Sequence, residues 1–368
     1  MSKPKIRFKG YEEDWEQRKL ENIVEVCSGR DYKHLEAGNI PVYGTGGYML
    51  SVSEALSYDV DAIGIGRKGT IDKPYILKAP FWTVDTLFYC ICKEGHNLNF
   101  VYDIFQNINW KAMDESTGVP SLSKTTINKV KTLIPSYLEQ EKIGKYFSCL
   151  DKLITLHQRK CEETKKLKKY MLQKMFPQNR KRVPEIRFAG FTDDWEQRKL
   201  GDVTELKSAS RVHKGEWTDS GVPFFRSSDV MAAINGTTNE KAYISEELYE
   251  KLSNASGKLE EGDVLVTGGG SVGNPYIVPN NEPLYTKDAD LLWIKNQGRF
   301  YPYFLYEYFF SPTFRIYLSS ISHVGTIAHY TITQLSETPI SLPDIEEQIK
   351  VGEYFESLDR LITLHQCK

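Results

Sequence analysis

The chain has 368 residues, of which 40% are hydrophobic and 26% charged, and its formal net charge is −2 at pH 7. This length suggests two or three domains, and the near-neutral balance excludes a uniformly basic nucleic-acid coat but not local basic surfaces. The sequence contains no apolar run of about 18 residues, so no membrane span is expected. The first residues do not resemble a secretory signal, and the six cysteines include no C-x-x-C pair. We therefore expect free thiols and a cytoplasmic protein.

Two segments occur twice in the same order. Residues 6–26 read IRFKGYEEDWEQRKLENIVEV, and residues 186–206 read IRFAGFTDDWEQRKLGDVTEL, so that WEQRKL is identical. Residues 135–160 and 343–368 form the second pair, in which LITLHQ is identical. Two such matches indicate an internal duplication and predict a pseudo-two-fold molecule. The alternative is a gene duplication without functional symmetry.

Two variable blocks, residues 22–134 and 202–342, separate the repeated segments and share little sequence. In both blocks, apolar stretches bounded by turn residues predict short strands, and short helices are expected between or after them. Each block is therefore expected to be a mixed α+β domain. The predicted strands lie at residues 60–66, 74–77, 86–92, 263–267, 275–278 and 289–294, and the predicted helices at residues 100–107, 246–251 and 302–310.

A long helix is predicted at residues 138–175, because strong helix formers fill this segment and only Gly144 interrupts them. At 1.5 Å per residue, its length would be about 57 Å. Its apolar side chains alternate spacings of four and three, which is typical of a coiled-coil seam. The seam residues are Ile143, Phe147, Leu150, Ile154, His157 and Cys161.

The second repeat predicts a shorter helix that carries the same seam. We expect the two seams to pair as an antiparallel coiled coil, and the pairing partner of residues 160–175 is expected to be missing. His157 and His365 are interpreted as packing residues, because no Cys or Asp lies beside them at metal-ligand spacing. The seam residues of the second helix are Val351, Phe355, Leu358, Ile362 and His365.

Residues 64–69, GIGRKG, match the dinucleotide fingerprint G-x-G-x-x-G. That fingerprint must open a helix, whereas the following residues read as a turn into another strand. We therefore predict a hairpin with Arg67 and Lys68 at its tip. The glycine-rich residues 268–273 occupy the matching place in the second block, where backbone N–H groups would either meet a phosphate or form a plain hairpin turn.

No motif of a methyltransferase, zinc protease, serine hydrolase or Walker A nucleotidase occurs. This absence predicts that the chain is not an enzyme by itself. The most basic stretch, residues 159–182, has ten Lys or Arg against two Glu. It is interpreted as a solvated helix face, with contact to a nucleic acid or an acidic partner as the alternative.

The order of these segments resembles the DNA-specificity (S) subunit of type I restriction-modification enzymes. The resemblance rests on the W-E-x-x-x-L segments that begin at Trp15 and Trp195 and on the helix starts of the type P-x-x-x-E-Q-x-K-I at Pro135 and Pro343. In the second block, three more stretches look like family segments, at residues 221–229, 262–267 and 325–330. The rival interpretation is a glycan- or protein-recognition module on a coiled-coil stalk.

The resemblance implies an α+β fold in which two mixed α/β target-recognition domains alternate with two long helices. The implied boundaries are residues 1–137 for the first domain, 138–177 for the first helix, 178–344 for the linker and second domain, and 345–368 for a truncated second helix. Each domain would read one half of a bipartite target in double-stranded DNA. The helices would set the spacing between the halves.

The resemblance also implies two methyltransferase (M) subunits docked on the helices and two restriction (R) subunits that join them. S-adenosylmethionine, ATP and Mg would act on these partners, so no cofactor or metal is expected on the chain itself. The docking and coiled-coil surface would comprise the apolar seam positions. These are Ile143, Phe147, Leu150, Ile154, Val351, Phe355, Leu358 and Ile362.

Candidate DNA contacts are polar and basic loop residues, because Arg bonds guanine bidentately and hydroxyl or ammonium groups bond phosphates. For each of them, the alternative is a loop residue that makes no DNA contact. The candidates are Tyr43, Arg67, Lys68, Thr70, Arg211, Lys214, Arg226, Ser227, Thr267, Ser271 and Lys287.

Overall fold

The computed structural model describes residues 4–178, 181–288, 290–321 and 329–366. The chain forms two compact units, Met1–Leu156 (unit 1) and His157–Lys368 (unit 2), and the division lies inside a long helix. Each unit has its own sheets and its own apolar core. Among the residues described, no helix is both long and apolar enough to cross a membrane.

Unit 1 contains a four-stranded sheet of order β2-β8-β5-β6, a three-stranded sheet of order β4-β3-β7 and the antiparallel pair β1-β9. The helix α3 begins in unit 1 and continues into unit 2. The strands are β1 (Glu16–Lys19), β2 (Val24–Ser28), β3 (Ala37–Gly44), β4 (Gly47–Val52), β5 (Ala62–Gly66), β6 (Tyr75–Leu77), β7 (Trp82–Thr83), β8 (Leu87–Cys92) and β9 (Lys131–Ile134). The helices are α1 (Leu98–Asn107), α2 (Lys124–Lys129) and α3 (Tyr137–Lys174).

The central strand β5 is buried along its whole length, which explains its uninterrupted apolar sequence. Ile63 and Ile65 point to the main core of unit 1, which also contains Phe100 and Phe105 of α1. On the opposite face, Ala62 packs in a smaller cluster with side chains of β6 and the segment that follows it. The sheet therefore has apolar cover on both faces, and its loops extend from its ends.

Unit 2 contains a four-stranded sheet of order β11-β18-β15-β16, a second of order β12-β14-β13-β17 and the pair β10-β19. Its strands are β10 (Glu196–Lys199), β11 (Leu206–Ser208), β12 (Trp217–Thr218), β13 (Val222–Phe225), β14 (Ala242–Ile244), β15 (Val264–Thr267), β16 (Pro275–Ile277), β17 (Tyr285–Thr286), β18 (Leu291–Ile294) and β19 (Pro339–Leu342). Its helices are α4 (Leu200–Val203), α5 (Ser227–Asn235), α6 (Glu246–Ser256), α7 (Pro302–Phe310), α8 (Pro312–Ile321), α9 (Ile332–Ser336) and α10 (Ile345–His365).

The two units repeat one topology although their variable blocks share little sequence. In both, the first strand of the four-stranded sheet pairs with the last, and a hairpin completes the sheet. In both, the second sheet contains one parallel pair, β3 with β7 and β13 with β17. The predicted α+β class and its duplication are thus confirmed, and nearly all predicted strands and helices are present within a few residues of the expected bounds.

The helices α3 and α10 run antiparallel within unit 2, as predicted. Residues that come later in α3 and just after it contact residues that come earlier in α10. His157 Nδ1 lies 2.9 Å from His365 Nδ1, Lys168 Nζ lies 2.7 Å from Asp359 Oδ1, and the Phe176 and Phe355 rings lie 6.1 Å apart. The second half of α3 is therefore the paired half. The expectation that residues 160–175 lack a partner was wrong. In an antiparallel pair, the residues nearer the N-terminus of α10 lie beside the C-terminal end of α3.

The seam positions attach each helix to its own domain more than to the other helix. Val351, Phe355 and Leu358 are buried in the main core of unit 2, among side chains of α7. Ile362 is half-buried on the face that meets the end of α3, where its carbonyl oxygen accepts a weak hydrogen bond from Cys161. The predicted seam of α10 therefore combines a surface that packs in the core of unit 2 with a surface that contacts α3.

The seam positions of the first half of α3 are more exposed than their counterparts in α10. Ile143 packs against the core of unit 1, and Leu150 is half-buried. Phe147 and Ile154 are 47% and 45% exposed. The repeated sequence thus places the same residue types in two environments.

Phe355→Ala is expected to lower the free energy of unfolding of unit 2 by about 3–5 kcal/mol, because the ring is fully buried and its removal leaves a cavity. The matched substitution in the other repeat, Phe147→Ala, is expected to cost unit 1 only about 1–2 kcal/mol, since half of that ring is already in water. Denaturation followed by hydrogen exchange of each unit measures both losses. Equal losses at the two positions would contradict the different burial.

Candidate nucleic-acid interface

The hairpin predicted at residues 64–77 is present, since β5 pairs antiparallel with β6. A Cβ atom at position 66 would lie 2.0 Å from the Thr70 carbonyl oxygen, so this close approach requires Gly66. The backbone N–H of Arg67 donates to the Thr86 carbonyl at 2.8 Å, and the side chains of Arg67 and Lys68 are exposed. The G-x-G-x-x-G match is therefore a tight turn between strands and not a dinucleotide site.

A second loop, residues 115–124, lies beside this hairpin. The Gly69 N–H donates to the Pro120 carbonyl at 2.8 Å, and the Leu122 N–H donates to the Arg67 carbonyl at 2.9 Å. Between the hairpin and the loop lies an open groove with three cations and one acid. Its charged and hydroxyl side chains belong to Ser28, Arg67, Lys68, Glu115, Ser116, Thr117, Ser121, Ser123 and Lys124.

Tyr43 lies at the end of β3, next to the same hairpin. Its ring is half-buried and lies 6.4 Å from the Tyr48 ring and 6.1 Å from the Tyr75 ring. The Tyr75 hydroxyl donates to the Gly44 carbonyl at 2.6 Å, which fixes the β3–β4 turn against the hairpin. Unit 1 therefore brings the predicted Tyr43, Arg67, Lys68 and Thr70 into one region, with the 115–124 loop as its other wall.

The corresponding hairpin of unit 2 joins β15 to β16 through the glycine-rich residues 268–274. Thr267 has no exposed surface, and its hydroxyl donates to the Ser271 carbonyl at 2.5 Å and accepts from the Asn274 N–H at 2.9 Å. This arrangement corrects the predicted DNA contact of Thr267, which instead shapes the turn. Ser271 is exposed on the turn and stays a candidate.

Arg226, Ser227 and Lys287 follow the ends of the parallel strands β13 and β17 and therefore lie close together. The Lys287 N–H donates to the Phe225 carbonyl at 3.0 Å, and its ammonium lies 2.6 Å from Asp290 Oδ2. Phe225 occupies the position of Tyr43 in unit 1, because the Val84 N–H donates to the Tyr43 carbonyl as the Lys287 N–H donates to that of Phe225.

The side chain of Arg226 is already engaged inside the unit. Its Nε lies 3.1 Å from Asp229 Oδ2, its Nη2 donates to the Glu240 carbonyl, and the guanidinium lies 5.7 Å from the centroid of the Trp217 ring. These contacts hold the start of α5, and only 19% of the side chain is exposed. A DNA contact by Arg226 stays a prediction that would use this remaining edge.

Arg211 and Lys214 are exposed on the segment that joins β11 to β12. The Tyr285 hydroxyl donates to the Ser210 carbonyl at 3.1 Å, which ties this segment to β17. Neither cation forms an ion pair with another residue described in the structure. Both therefore remain available as candidates for an anionic ligand.

The described residues contain no group of three or more His, Cys, Asp or Glu side chains that is able to hold a metal ion. Burial raises the pKa of the Cys92 thiol to about 12, and burial also raises the pKa of Cys90. Such thiols are protonated near neutral pH and are poor nucleophiles. The free thiols in the described ranges are Cys27, Cys90, Cys92, Cys149 and Cys161.

Sequence reasoning missed the 115–124 loop of unit 1, including Lys124 and its neighbouring hydroxyl groups. The second block contained a sequence signal for the equivalent loop, the family-like segment 325–330. Its last residue is Tyr330, whose N–H donates to the Gly268 carbonyl just as the Leu122 N–H donates to the Arg67 carbonyl. Tyr330 therefore corresponds to Leu122 near the end of the 115–124 loop. Within the family-like segment, residues 325–328 lie outside the part of the chain that the structure describes.

Asp114 fixes the start of the 115–124 loop, and its removal is expected to loosen the groove. Asp114 Oδ1 accepts hydrogen bonds from the N–H groups of Ser121 at 2.9 Å and Ser116 at 3.0 Å, which lower the pKa of this carboxyl. A lowered pKa in the folded state means that the bonds stabilise the loop at neutral pH and lose this effect as pH falls through that value.

NMR of serine-¹⁵N-labelled protein measures this effect. In the unaltered chain, the amide resonances of Ser116 and Ser121 should titrate together, with a midpoint below the usual value for Asp of about 3.9. In Asp114→Asn, the titration should disappear and the amides should exchange faster at pH 7. A midpoint at or above the usual value would contradict the role given to Asp114.

Comparison with known proteins places these two units in one family. The model of the "Type I restriction modification DNA specificity domain" matches twice, at residues 12–166 and 192–368. A Haemophilus influenzae protein named as a type I restriction enzyme specificity subunit is 25% identical over 339 residues, which cover 89% of this chain and 83% of that protein. A type I restriction enzyme specificity subunit of Methanocaldococcus jannaschii is 26% identical over 268 residues, which cover 69% of this chain and 61% of that protein.

The fold has a solved counterpart. The crystal structure of a type I restriction-modification S subunit from M. genitalium superposes with a TM-score of 0.63 and covers 97% of this chain and 92% of its own. The sequence identity is 13%, so this likeness concerns the fold.

Proposed function

The chain belongs to the family of type I restriction-modification DNA specificity subunits, and on this premise we propose that each unit reads one half of a bipartite DNA target. Unit 1 would use the groove between its hairpin and the 115–124 loop. Unit 2 would use the equivalent hairpin together with Arg211, Lys214, Ser227 and Lys287. Exposed cations and hydroxyl groups of this kind position a protein on phosphates and read base edges.

One observation carries this proposal: equivalent hairpins in the two units carry different side chains on the same backbone frame. Arg67 and Lys68 follow β5, whereas Gly268 and Gly269 follow β15 at the same points of the sheet. A recognition surface must differ between two halves of an asymmetric target, while the strands that support it stay alike. The two units meet both conditions.

The helices α3 and α10 would connect the two readers, set the distance between the half-sites and dock methyltransferase subunits, which restriction subunits would join. Catalysis would belong to these partners in the cytoplasm, with S-adenosylmethionine, ATP and Mg as their cofactors. Support comes from the family to which the chain belongs. Methyl transfer by the isolated chain would contradict the proposal that catalysis belongs to the partner subunits.

Replacing residues 21–129 with the same block of another family member should change one half of the methylated target and leave the other half unchanged. These limits keep β1 paired with β9, so the frame of unit 1 is preserved. The altered chain is combined with its methyltransferase subunit, and the methylated sequence is read by methylome sequencing. The matched exchange of residues 201–337 in unit 2 should change the opposite half. A change in both halves after either exchange would contradict independent reading.

Lys68→Ala should weaken binding of the assembled complex to all DNA sequences and lower the salt dependence of binding by about one ion, as expected for a lost phosphate contact. Arg67→Ala should instead relax the sequence preference at one position. Lys78→Ala is the matched control, because Lys78 is 72% exposed at the opposite end of the same hairpin, where it pairs with Asp61. DNA affinity is measured at several salt concentrations for each variant. Equal losses of affinity for Lys68→Ala and Lys78→Ala would argue against DNA binding in this groove.

A further inference from the structure

In unit 2, the residues that follow the end of α3, Met175 and Phe176, pack over the junction between α10 and the rest of the domain. The Phe176 ring is 2% exposed, and Met175 is buried beside it. Four aromatic side chains surround the Phe176 ring. Their ring centroids lie 6.2 Å (Trp195), 5.3 Å (Phe304), 6.3 Å (Tyr308) and 6.1 Å (Phe355) from it.

Lys168 adds a charge interaction about two helical turns before Met175. Its Nζ lies 2.8 Å from Glu307 Oε1 and 2.7 Å from each carboxylate oxygen of Asp359. Glu307 is fully buried, and this burial raises its pKa to about 8 although Lys168 opposes the shift. One ammonium group thus contacts two carboxyl groups, one from α7 and one from α10.

Unit 1 contains the same site, built from equivalent residues. The equivalence follows from repeated contacts: Arg7 pairs with Glu139 as Arg187 pairs with Glu347, and Gly144 faces the Phe100 N–H as Gly352 faces that of Phe304. In this correspondence the four surrounding side chains are Trp15, Phe100, Ile104 and Phe147, and the two carboxylates are Asp103 and Asp151.

In unit 1 this site is an open groove. Trp15, Phe100, Ile104 and Phe147 all line it. Phe147 is 47% exposed where Phe355 is fully buried, and Trp15 is half-buried where Trp195 is 1% exposed. The groove is therefore lined by the counterparts of the residues that surround Phe176 in unit 2, with Ile104 at the position of Tyr308.

Asp103, which lines the groove, and Asp151, which is exposed beside it, correspond to the two carboxyl groups that Lys168 contacts in unit 2. Asp103 Oδ2 is buried and has no hydrogen-bond partner in the described part of the chain. Burial and, to a lesser extent, the charge of Asp151 raise the pKa of Asp103 to about 7. Neither carboxylate forms an ion pair with a cation among the residues described. An uncompensated buried carboxylate is costly, so a cation placed here would be stabilised.

We propose that this groove binds an amphipathic helix of another polypeptide, which carries a Lys or Arg and, about two turns further on, a Met followed by an aromatic residue. Residues 168–176 of this chain are the internal template for that helix. The aromatic side chain would fill the space between Trp15, Phe100 and Phe147. The cation would lie between Asp103 and Asp151. This proposal does not depend on how the units read DNA.

The probe is a fluorescein-labelled peptide with the sequence of residues 160–177, titrated with the full chain and followed by fluorescence anisotropy. We expect saturable binding of one peptide per chain. The peptide variant Phe176→Ala should bind about 30-fold more weakly, because a buried aromatic anchor dominates an interface of this kind. Absence of saturable binding would overturn the proposal.

A charge exchange locates the peptide. Asp151→Lys in the full chain should weaken binding of the unaltered peptide by about tenfold or more, since like charges would then face each other. The peptide variant Lys168→Glu should bind poorly to the unaltered chain and regain affinity for Asp151→Lys. Because Asp151 lies in unit 1, this change leaves the equivalent site of unit 2 untouched. Circular dichroism checks that the variant is folded.

Asp59→Lys provides the matched control, since Asp59 is exposed in unit 1 and is not part of the groove. Its binding should equal that of the unaltered chain, and an equal loss for Asp59→Lys and Asp151→Lys would reduce the effect to net charge and overturn the proposal. Sedimentation tests a second copy as the occupant. If the chain dimerises and Asp151→Lys separates the dimer, the groove belongs to self-association and not to a partner helix.

Discussion

A buried carboxylate joins each long helix to its domain. Glu139 and Glu347 are fully buried, and each accepts two hydrogen bonds from one guanidinium, at 2.6 and 2.7 Å from Arg7 and at 2.7 and 2.8 Å from Arg187. An unpaired carboxylate at such a site would cost several kcal/mol. A helix that shifted or rotated would break the pair, so its position on the domain is fixed.

The next residues of each helix tighten the same junction. Gln140 and Gln348 accept a hydrogen bond from the N–H group that precedes α1 or α7, and each donates to the carbonyl of the proline before its helix. One turn later, Gly144 and Gly352 approach the domain helix so closely that a Cβ atom would clash. These residues belong to the segments that occur twice in the sequence, which explains why those segments are alike while the loops between them differ.

The sequence predicts the strands and long helices well because their apolar patterns are strong. The β5 strand is an uninterrupted apolar run, and α3 has helix formers over its whole length. The 115–124 loop has no such pattern, since its position depends on hydrogen bonds to the distant residues Arg67 and Gly69. Thr267 was wrongly expected to contact DNA because a Thr hydroxyl in a turn bonds its own backbone as readily as a ligand. Periodicity identified the apolar face of α10 but not its neighbour, which is mainly the core of its own domain.

The repeated junctions differ in how much apolar surface they bury, although their sequences IGKYF and VGEYF are nearly alike. The difference lies in the side chains that pack over the junction. Met175 and Phe176 pack over the junction of unit 2, and burial of each such side chain contributes about 1.5–3 kcal/mol to its stability. The junction of unit 1 lacks this contribution from the described residues and leaves Phe147 half in water. Local opening starts where the least apolar surface is buried, so the first half of α3 should separate from its domain more easily than α10 does. Any molecule that covers Phe147 would therefore bury more apolar surface at this junction and stiffen the connection between the domain of unit 1 and its helix.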